Sequence, residues 1–273
     1  MFRCRHPEKR NLVVVKQVRL GDSDTSRKAL LEREIHFYAQ RGKMMDRLIP
    51  RFEGQEDDTH GLHLCLEFMD GGSIKELTRQ GFITQDLIVR YAGKVASALE
   101  HLHGNHIIWN GCCADHVLLD SRGRPRLISF GLSRKGSGEL VKALRYADLE
   151  HRLRWMAPEA VQYLQYSPKT DIWAFGCFVV EMLTGKDPHY DCENVEKVRR
   201  KVAHTDDPRP LVSYPGQAVI KAIPQLLDQA FMCEPAKRPT AAEISASLAP
   251  LTAKATREAH SSHPPRRTRT KVA

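Results

Sequence analysis

The first quarter of the chain alternates short apolar runs with polar turns, which is the pattern of a small β-sheet. Residues 12–18 form a β-branched run around a single lysine and predict a strand. Residues 50–52 and 63–68 predict two further strands on either side of an acidic turn at 55–58. Between these strands, residues 27–40 place their apolar positions near one face of a helix. The region is therefore predicted to be a sheet with one helix.

The pattern changes after the joint Asp70-Gly71-Gly72-Ser73, because almost every later apolar period is helical. The exception is segment 129–159, which is long, polar and poorly periodic, as functional loops often are. Strands followed by helices predict an α+β fold with two lobes. We place a small β-rich N-lobe at 1–66, a hinge at 67–73 and a larger helical C-lobe at 74–252. Helices in the C-lobe are predicted at 84–103, 167–183, 195–203, 219–231 and 241–251.

Composition and charge narrow the class of protein. No stretch approaches the roughly 18 unbroken apolar residues of a membrane helix, so no membrane role is expected. Seven cysteines without a repeated spacing indicate reduced thiols and an intracellular, cytoplasmic protein. Residues 253–273 hold six Lys or Arg against one Glu and lack an apolar period, which predicts a disordered basic tail. A solubilising role for the tail is favoured over binding to acidic surfaces, and nucleic-acid binding is not expected.

The most informative stretch runs from Ile107 to Gly131. It contains Trp109-Asn110-Gly111 before a short apolar run, and Ser129-Phe130-Gly131 after it. In order, spacing and flanks this stretch resembles the catalytic centre of the eukaryotic protein kinases, in which His-Arg-Asp precedes Asp-Phe-Gly. The resemblance implies a bilobal kinase-like fold. It is most similar to the Ser/Thr kinases that head mitogen-activated cascades.

The same resemblance implies a nucleotide site between the lobes. Lys16 matches the strand lysine that contacts nucleotide phosphates, and Glu34 matches the helix glutamate that pairs with it. The hinge that would hold adenine begins after Leu66, the residue that guards the rear pocket. The cofactor-binding positions are then Lys16, Glu34, Leu66, Glu67, Met69 and Leu118.

Three further matches concern the scaffold. Ala157-Pro158-Glu159 resembles the motif that closes the activation segment, and Arg238 resembles the late arginine that pairs with that glutamate. Asp171 begins the motif of the central helix. These residues are structural even in active kinases, so they indicate the fold and not turnover.

The catalytic positions themselves are replaced. Gly111 stands for the catalytic Asp, Cys113 for the catalytic-loop Lys, His116 for the metal-binding Asn and Ser129 for the metal-binding Asp. Glycine can neither orient a hydroxyl nor accept its proton. Magnesium prefers anionic oxygen, which neither Ser129 nor His116 supplies. No catalytic residue is intact, no metal site is predicted, and Asp115 is not expected to act as a substitute base.

Residues that regulate the family's kinases, and the loop that covers the nucleotide phosphates, are also expected to be missing. Asn110 replaces the arginine that clamps an activation-loop phosphate, a task that a neutral amide does badly. His151 and Arg152 replace the Gly-Thr of Ser/Thr kinases. Only fifteen residues precede Lys16, so the first strand and the Gly-rich phosphate loop of the N-lobe are expected to be missing.

Four aromatic residues fall where an active kinase stacks side chains between its lobes. These are Tyr38, Phe52, Phe130 and Trp109. One interpretation is a column that fixes the lobes, with the bulky Trp109 pinning them closed. The other interpretation is ordinary core packing.

Two functions of different class compete. The first is a catalytically impaired kinase-like module, a pseudokinase, which acts on a protein partner such as another kinase or its substrate as an allosteric or scaffolding element. The alternative is an ATP-binding Ser/Thr protein kinase with weak or unconventional phosphotransfer. We expect weak, metal-independent ATP binding and no magnesium binding. Zinc binding by the local His and Cys residues is disfavoured, because the ordered Cys-x-x-Cys spacing is missing.

Overall fold

The structure, a computed structural model, describes residues 2–5, 12–19, 25–40, 45, 47–81, 83–135, 138–139, 146–212 and 222–261. A small antiparallel sheet with one helix forms the N-lobe, and helices form most of the C-lobe. The predicted α+β class is confirmed. Within the described part of the chain, no helix is long and apolar enough to cross a bilayer.

The N-lobe sheet has four antiparallel strands in the order β1-β2-β4-β3. The strands are β1 (Phe2–Arg5), β2 (Leu12–Arg19), β3 (Phe52–Asp58) and β4 (Gly61–Glu67). Helix α1 (Thr25–Gln40) packs on one face of this sheet and buries Leu31, Ile35 and Tyr38 there. Because side chains alternate along a strand, Lys16 faces α1 while Val15 faces the opposite side.

The predicted acidic turn at 55–58 is wrong. These residues belong to β3, and the chain turns after Asp58 instead. The Asp58 carboxylate accepts hydrogen bonds from the backbone N–H groups of His60 at 2.7 Å and Gly61 at 3.1 Å. Asp58 therefore forms the turn with its side chain, while the other acidic residues lie on a solvent-facing edge strand that tolerates charge.

The joint between the lobes depends on two glycines. The N–H of Gly71 donates to the carbonyl of Leu119 at 3.0 Å, and the N–H of Leu119 donates to the carbonyl of Gly72 at 2.9 Å. A Cβ at Gly71 would lie 2.7 Å from the Leu119 Cβ, and Gly72 has a φ of 70°. Only glycine meets both requirements without strain, so the joint is held closely against the C-lobe.

The C-lobe is built around helix α5, whose residues from Thr170 to Leu183 are all buried. Ser167 caps its first turn and Gly185, with a φ of 69°, ends it. The helices of this lobe are α2 (Ile74–Arg79), α3 (Gln85–Gly104), α4 (Pro158–Tyr163), α5 (Pro168–Thr184), α6 (Val195–His204), α7 (Ala222–Ala230) and α8 (Ala241–Ser261). Its short strands are β5 (Ile107–Ile108), β6 (Val117–Leu119), β7 (Pro125–Leu127), β8 (Arg134–Lys135), β9 (Gly138–Glu139) and β10 (Gln165–Tyr166).

The predicted end of the last helix at residue 251 is wrong, because α8 continues to Ser261. Its alanine-rich sequence favours a helix, Ala255 is buried, and Thr252 packs where α3 has only the hydrogen of Gly93. The remaining tail, 262–273, lies outside the described residues, as do the predicted helical positions 219–221. Segment 129–159 contains two short strands, a 3₁₀ helix from Tyr146 to Trp155 and the start of α4, so it is more regular than its polar pattern indicates.

Candidate functional site

Lys16 on β2 and Glu34 on α1 form an ion pair within the N-lobe. Lys16 Nζ lies 2.6 Å from the Glu34 carboxylate, which is almost fully buried on α1. The second oxygen of Glu34 accepts the backbone N–H of Phe130 at 3.2 Å. One carboxylate therefore joins β2, α1 and the segment after β7. The Lys16 side chain keeps 37% exposure, so its ammonium remains accessible from the cleft.

An aromatic column connects the two lobes. The Tyr38 ring lies 6.4 Å from Phe52 and 6.0 Å from Phe130, and Phe130 lies 5.9 Å from Trp109, measured between ring centroids. Phe37, which the sequence analysis missed, stacks in parallel on Phe130 at 4.0 Å. The four predicted rings are therefore in contact, and Phe37 adds a fifth. All five also pack in or against the buried core, so these contacts agree with a column and with ordinary core packing.

The column is anchored to the central helix by Asp171. Its two carboxylate oxygens each accept a backbone N–H at 2.8 Å, one from Trp109 and one from Asn110. His103 contacts the same carboxylate at 2.9 Å. Because Asp171 is fully buried, this arrangement fixes the loop that follows β5 relative to α5.

Trp109 occupies the place from which a catalytic side chain would project. Its indole is fully buried, and Nε1 donates to the carbonyl of Ile128 at 3.1 Å. A Cβ added to Gly111 would lie 2.7 Å from Cδ1 of this ring and closer still to Nε1 and Cε2. Any side chain at position 111 would therefore overlap the indole.

His116 and Ser129 stand at the sequence positions that match the family's metal ligands, and their donor atoms can be compared with those that magnesium prefers. His116 Nδ1 contacts the Gly111 carbonyl oxygen at 2.8 Å, and since a carbonyl only accepts, Nδ1 carries the proton. Ser129 has a left-handed φ of 67° and offers a neutral hydroxyl. Among the described residues, no three His, Cys, Asp or Glu side chains converge as metal ligands. The donor set does not fit magnesium, which requires anionic oxygens.

The two cysteines of the loop are buried thiols. Burial raises the pKa of Cys112 well above its ordinary value and raises that of Cys113 to about 12. Cys113 therefore supplies no charge where the family has a lysine. Both cysteines stand as free thiols in the structure.

The nucleotide-side positions line the joint between the lobes. Leu66 and Met69 are buried, and Leu118 is partly buried on β6. The carboxylate of Glu67 accepts the backbone N–H of Arg51 at 3.3 Å.

Arginines hold the segment that follows Ser129 against its surroundings. Arg33, next to Glu34 on α1, donates from Nε to the Gly131 carbonyl at 3.0 Å and from Nη2 to the Ser133 carbonyl at 2.7 Å. Arg154 donates to the carbonyl of His189 at 2.6 Å. Neither arginine was predicted from the sequence. Their partners are backbone carbonyls, which leave no residue-type signal.

Two buried ion pairs complete the scaffold. Arg238 donates to both carboxylate oxygens of Glu159 at 2.7 and 2.8 Å, which confirms the predicted pair. Lys75 on α2 lies 2.9 Å from Glu181 on α5, an ion pair that the sequence analysis missed. Glu181 also accepts the indole N–H of Trp155 at 2.9 Å.

The arrangement of strand lysine, helix glutamate, central-helix aspartate and aromatic column agrees with the family model that matches this chain. That model, the protein kinase domain, covers residues 1–248. The chain belongs to the protein kinase family.

This kinase domain is similar to Ser/Thr kinases of several organisms. It is 31% identical over 259 residues to the serine/threonine-protein kinase BCK1/SLK1/SSP31 of Saccharomyces cerevisiae, a match that covers 89% of this chain and 17% of that protein. It is 32% identical over 182 residues to mitogen-activated protein kinase kinase kinase 3 of Arabidopsis thaliana, covering 65% of this chain and 28% of that protein. The serine/threonine-protein kinase PAK mbt of Drosophila melanogaster is 29% identical over 185 residues, a match that covers 68% of this chain and 28% of that protein. The chain thus spans no more than 28% of the length of these relatives.

Proposed function

We propose that this kinase domain has lost phosphotransfer and acts as a regulatory or scaffolding module on a protein partner. The observation that supports this most strongly is the indole of Trp109 in the space beside Gly111. It goes beyond the loss of one carboxylate, because the indole lies where the first atom of any side chain at position 111 would lie.

The chemistry of the loop supports the proposal. A general base must lie within hydrogen-bond reach of the hydroxyl that it deprotonates. Position 111 has no side chain, and Asp115, the nearest carboxylate in sequence, is exposed to solvent. Phosphoryl transfer also depends on metal ions that neutralise the phosphates, and Ser129 with His116 makes a poor pair of ligands. We therefore infer weak, metal-independent nucleotide binding.

The intact parts of the domain support a binding role. The Lys16–Glu34 pair, the aromatic column and the arginine contacts of the activation segment are all formed together. Such a domain presents one fixed surface to a partner. Because its relatives include kinases named for mitogen-activated cascades, we propose another kinase or a kinase substrate as the partner, in the cytoplasm.

A phosphotransfer assay tests the proposal. Purified domain is incubated with radiolabelled ATP and myelin basic protein in magnesium and in manganese, with Lys16→Met as the matched control. We expect the wild-type domain to incorporate no more label than Lys16→Met. Label well above the Lys16→Met control would contradict the proposal.

One observation favours the second candidate, a Ser/Thr kinase with unconventional phosphotransfer. The Lys16–Glu34 contact of 2.6 Å is the arrangement that productive nucleotide binding requires. In that case the assay gives incorporation that Lys16→Met abolishes, and Asp115→Asn or His116→Ala then identifies the group that replaces the base.

A further inference from the structure

A small cavity, the segment cavity, is lined by residues of the 3₁₀ helix Tyr146–Trp155, of β10 and of the start of α5. It has a volume of about 40 Å³. Its lining includes Leu132, Arg152, Met156, Ala160, Tyr166 and Asp171. A water molecule needs roughly 10–15 Å³ of such space, so the cavity admits about three water-sized atoms. This is the size of a carboxylate group.

The cation of this cavity is the guanidinium of Arg152. Its charge interacts with Tyr166 and Asp171, which also line the cavity, so the charged end of the side chain borders the space. Within the described part of the chain, this guanidinium makes no hydrogen bond or ion pair. Arg152 is partly buried, and the loss of hydration lowers the pKa of its guanidinium. A partly desolvated charge without a partner is unfavourable, and an anion beside it would offset that cost.

The acidic residue that lines the cavity, Asp171, already has its own partners. Its two oxygens each accept a backbone N–H at 2.8 Å, and His103 contacts the same carboxylate at 2.9 Å. The thiol of Cys113 also lies within electrostatic reach of Arg152, but burial raises its pKa to about 12 and keeps it neutral. The described residues therefore offer Arg152 no free anion.

Two further cations belong to the strand next to the cavity wall. The guanidinium of Arg134 lies over the ring of Tyr166, a lining residue, at 5.5 Å, and Lys135 is exposed. With Arg152 they make three cations on one segment, against the exposed Glu150 of the same 3₁₀ helix. Several like charges along one segment favour a partner that carries several carboxylates over a single free anion.

We propose that an acidic segment of a protein partner docks on the activation segment and places one side-chain carboxylate in the segment cavity, where Arg152 pairs with it. The small volume of the cavity favours a carboxylate over the bulkier phosphate group. Paired hydrogen bonds between a guanidinium and a carboxylate supply both affinity and orientation. The inference names the chemistry of the partner, and it rests on the proposed binding role of the domain.

Isothermal titration with three probes at low ionic strength tests the inference. The probes are acetylated hexaglutamate, acetylated hexaglutamine and sodium acetate. We expect hexaglutamate to bind at least about 10-fold more tightly than hexaglutamine, because it alone brings a charge-assisted hydrogen bond. Equal affinities of the two peptides would show that the carboxylate is not recognised. Acetate that binds as tightly as hexaglutamate would show that the occupant is a free small anion. Either result would overturn the inference.

Substitutions at Arg152 locate the site. Arg152→Met keeps the length of the side chain, removes its charge and is expected to weaken hexaglutamate binding at least about 10-fold. Arg152→Lys keeps a cation and should lose less affinity than Arg152→Met. Arg122→Met is the matched control, since it removes an exposed cation between β6 and β7, and it should change the affinity less than about 2-fold. Equal losses in Arg122→Met and Arg152→Met would indicate general charge attraction and would overturn the cavity as the site.

Amide hydrogen exchange of the wild-type domain locates the peptide without any substitution. Bound hexaglutamate should slow exchange across residues 132–135 and 152–160. Protection confined to other parts of the chain would overturn the inference, even if Arg152→Met does not fold. A hexaglutamate peptide that fails to bind would remove this partner chemistry alone, because the labelled-ATP assay decides separately whether phosphotransfer is lost.

Discussion

The indole of Trp109 and the α-carbon of Gly111 are interlocked: the ring fills the volume in which a side chain at position 111 would begin. The two residues depend on each other, since the indole is fully buried and held by its bond to Ile128. A catalytic aspartate therefore cannot be restored at position 111 by one substitution.

This interlock predicts a strong coupling between the two positions. Gly111→Ala should lower the free energy of unfolding by about 1–3 kcal/mol, because the new methyl group overlaps a ring that cannot move freely. In a Trp109→His background the same change should cost little, so a double-mutant cycle by urea denaturation should show a coupling of about 1–3 kcal/mol.

Gly104→Ala is the matched control for this cycle. A Cβ at Gly104 meets nothing within 4 Å, so the change should be neutral or slightly stabilising. Additive effects of the Trp109 and Gly111 substitutions would contradict the interlock.

Arg33 is predicted to keep the start of the activation segment ordered without phosphorylation. Arg33→Gln removes the donors to the Gly131 and Ser133 carbonyls. Each lost bond is worth about 1 kcal/mol, so with both bonds lost amide hydrogen exchange across residues 129–135 should accelerate roughly 30-fold. Glu32→Gln, an exposed neighbour on α1, should leave that exchange unchanged, and equal exchange in both variants would count against the role of Arg33.

Lys75 is predicted to be essential for stability through Glu181. Lys75→Met leaves the Glu181 carboxylate buried without its cation and should cost about 3–5 kcal/mol of unfolding free energy. Adding Glu181→Gln should recover part of that loss, because the buried charge is then removed as well. Denaturant unfolding of the single and double variants measures both values, and a double variant less stable than Lys75→Met would refute this account.

His189 is predicted to make stability depend on pH. Its ring is fully buried, both ring nitrogens have no partner among the described residues, and burial lowers its pKa from 6.5 to about 4. Between pH 4 and 6.5 the unfolded chain binds more protons at this position than the folded chain, so stability rises with pH across that window. The slope from this group approaches about 1.4 kcal/mol per pH unit.

Replacing His189 tests that slope. His189→Phe should remove the contribution and raise stability at neutral pH by about 1 kcal/mol or more, because no polar nitrogen is then left unpaired. His204→Gln, which removes an exposed imidazole at the end of α6, is the control. A slope unchanged by His189→Phe, in unfolding measured from pH 4 to 7, would show that the buried imidazole is not its source.

Much of the fold could be predicted from the sequence, because the local hydrophobic patterns and the residue pairs that are distant in sequence indicate the same fold. The β-branched run before Lys16, the apolar α5 and the Glu159–Arg238 pair each combine a residue type with a fixed place in the kinase order. The four aromatic positions were found in the same way. The end of α8 was missed because its alanines are only weakly apolar, although Ala255 is buried against the lobe.

In the candidate site, the sequence alone predicts which residues differ from the family's pattern, and it predicts little of their geometry. Gly111, Cys113, His116 and Ser129 can be recognised as replacements, but their consequences depend on where neighbours lie. The overlap of Trp109 with position 111 follows from backbone geometry, as do the contacts of Arg33 and Arg154 with carbonyl groups. A sequence pattern does not contain those distances.

The central claim is that the cleft has no functional metal–nucleotide site. It is tested most directly by a thermal-shift titration with ATP, with and without magnesium or manganese, on the wild-type domain and on Lys16→Met. We predict no shift, or a small shift that is the same with and without metal. A shift that requires the metal and disappears in Lys16→Met would show that Ser129 and His116 do support metal binding, and would contradict the account.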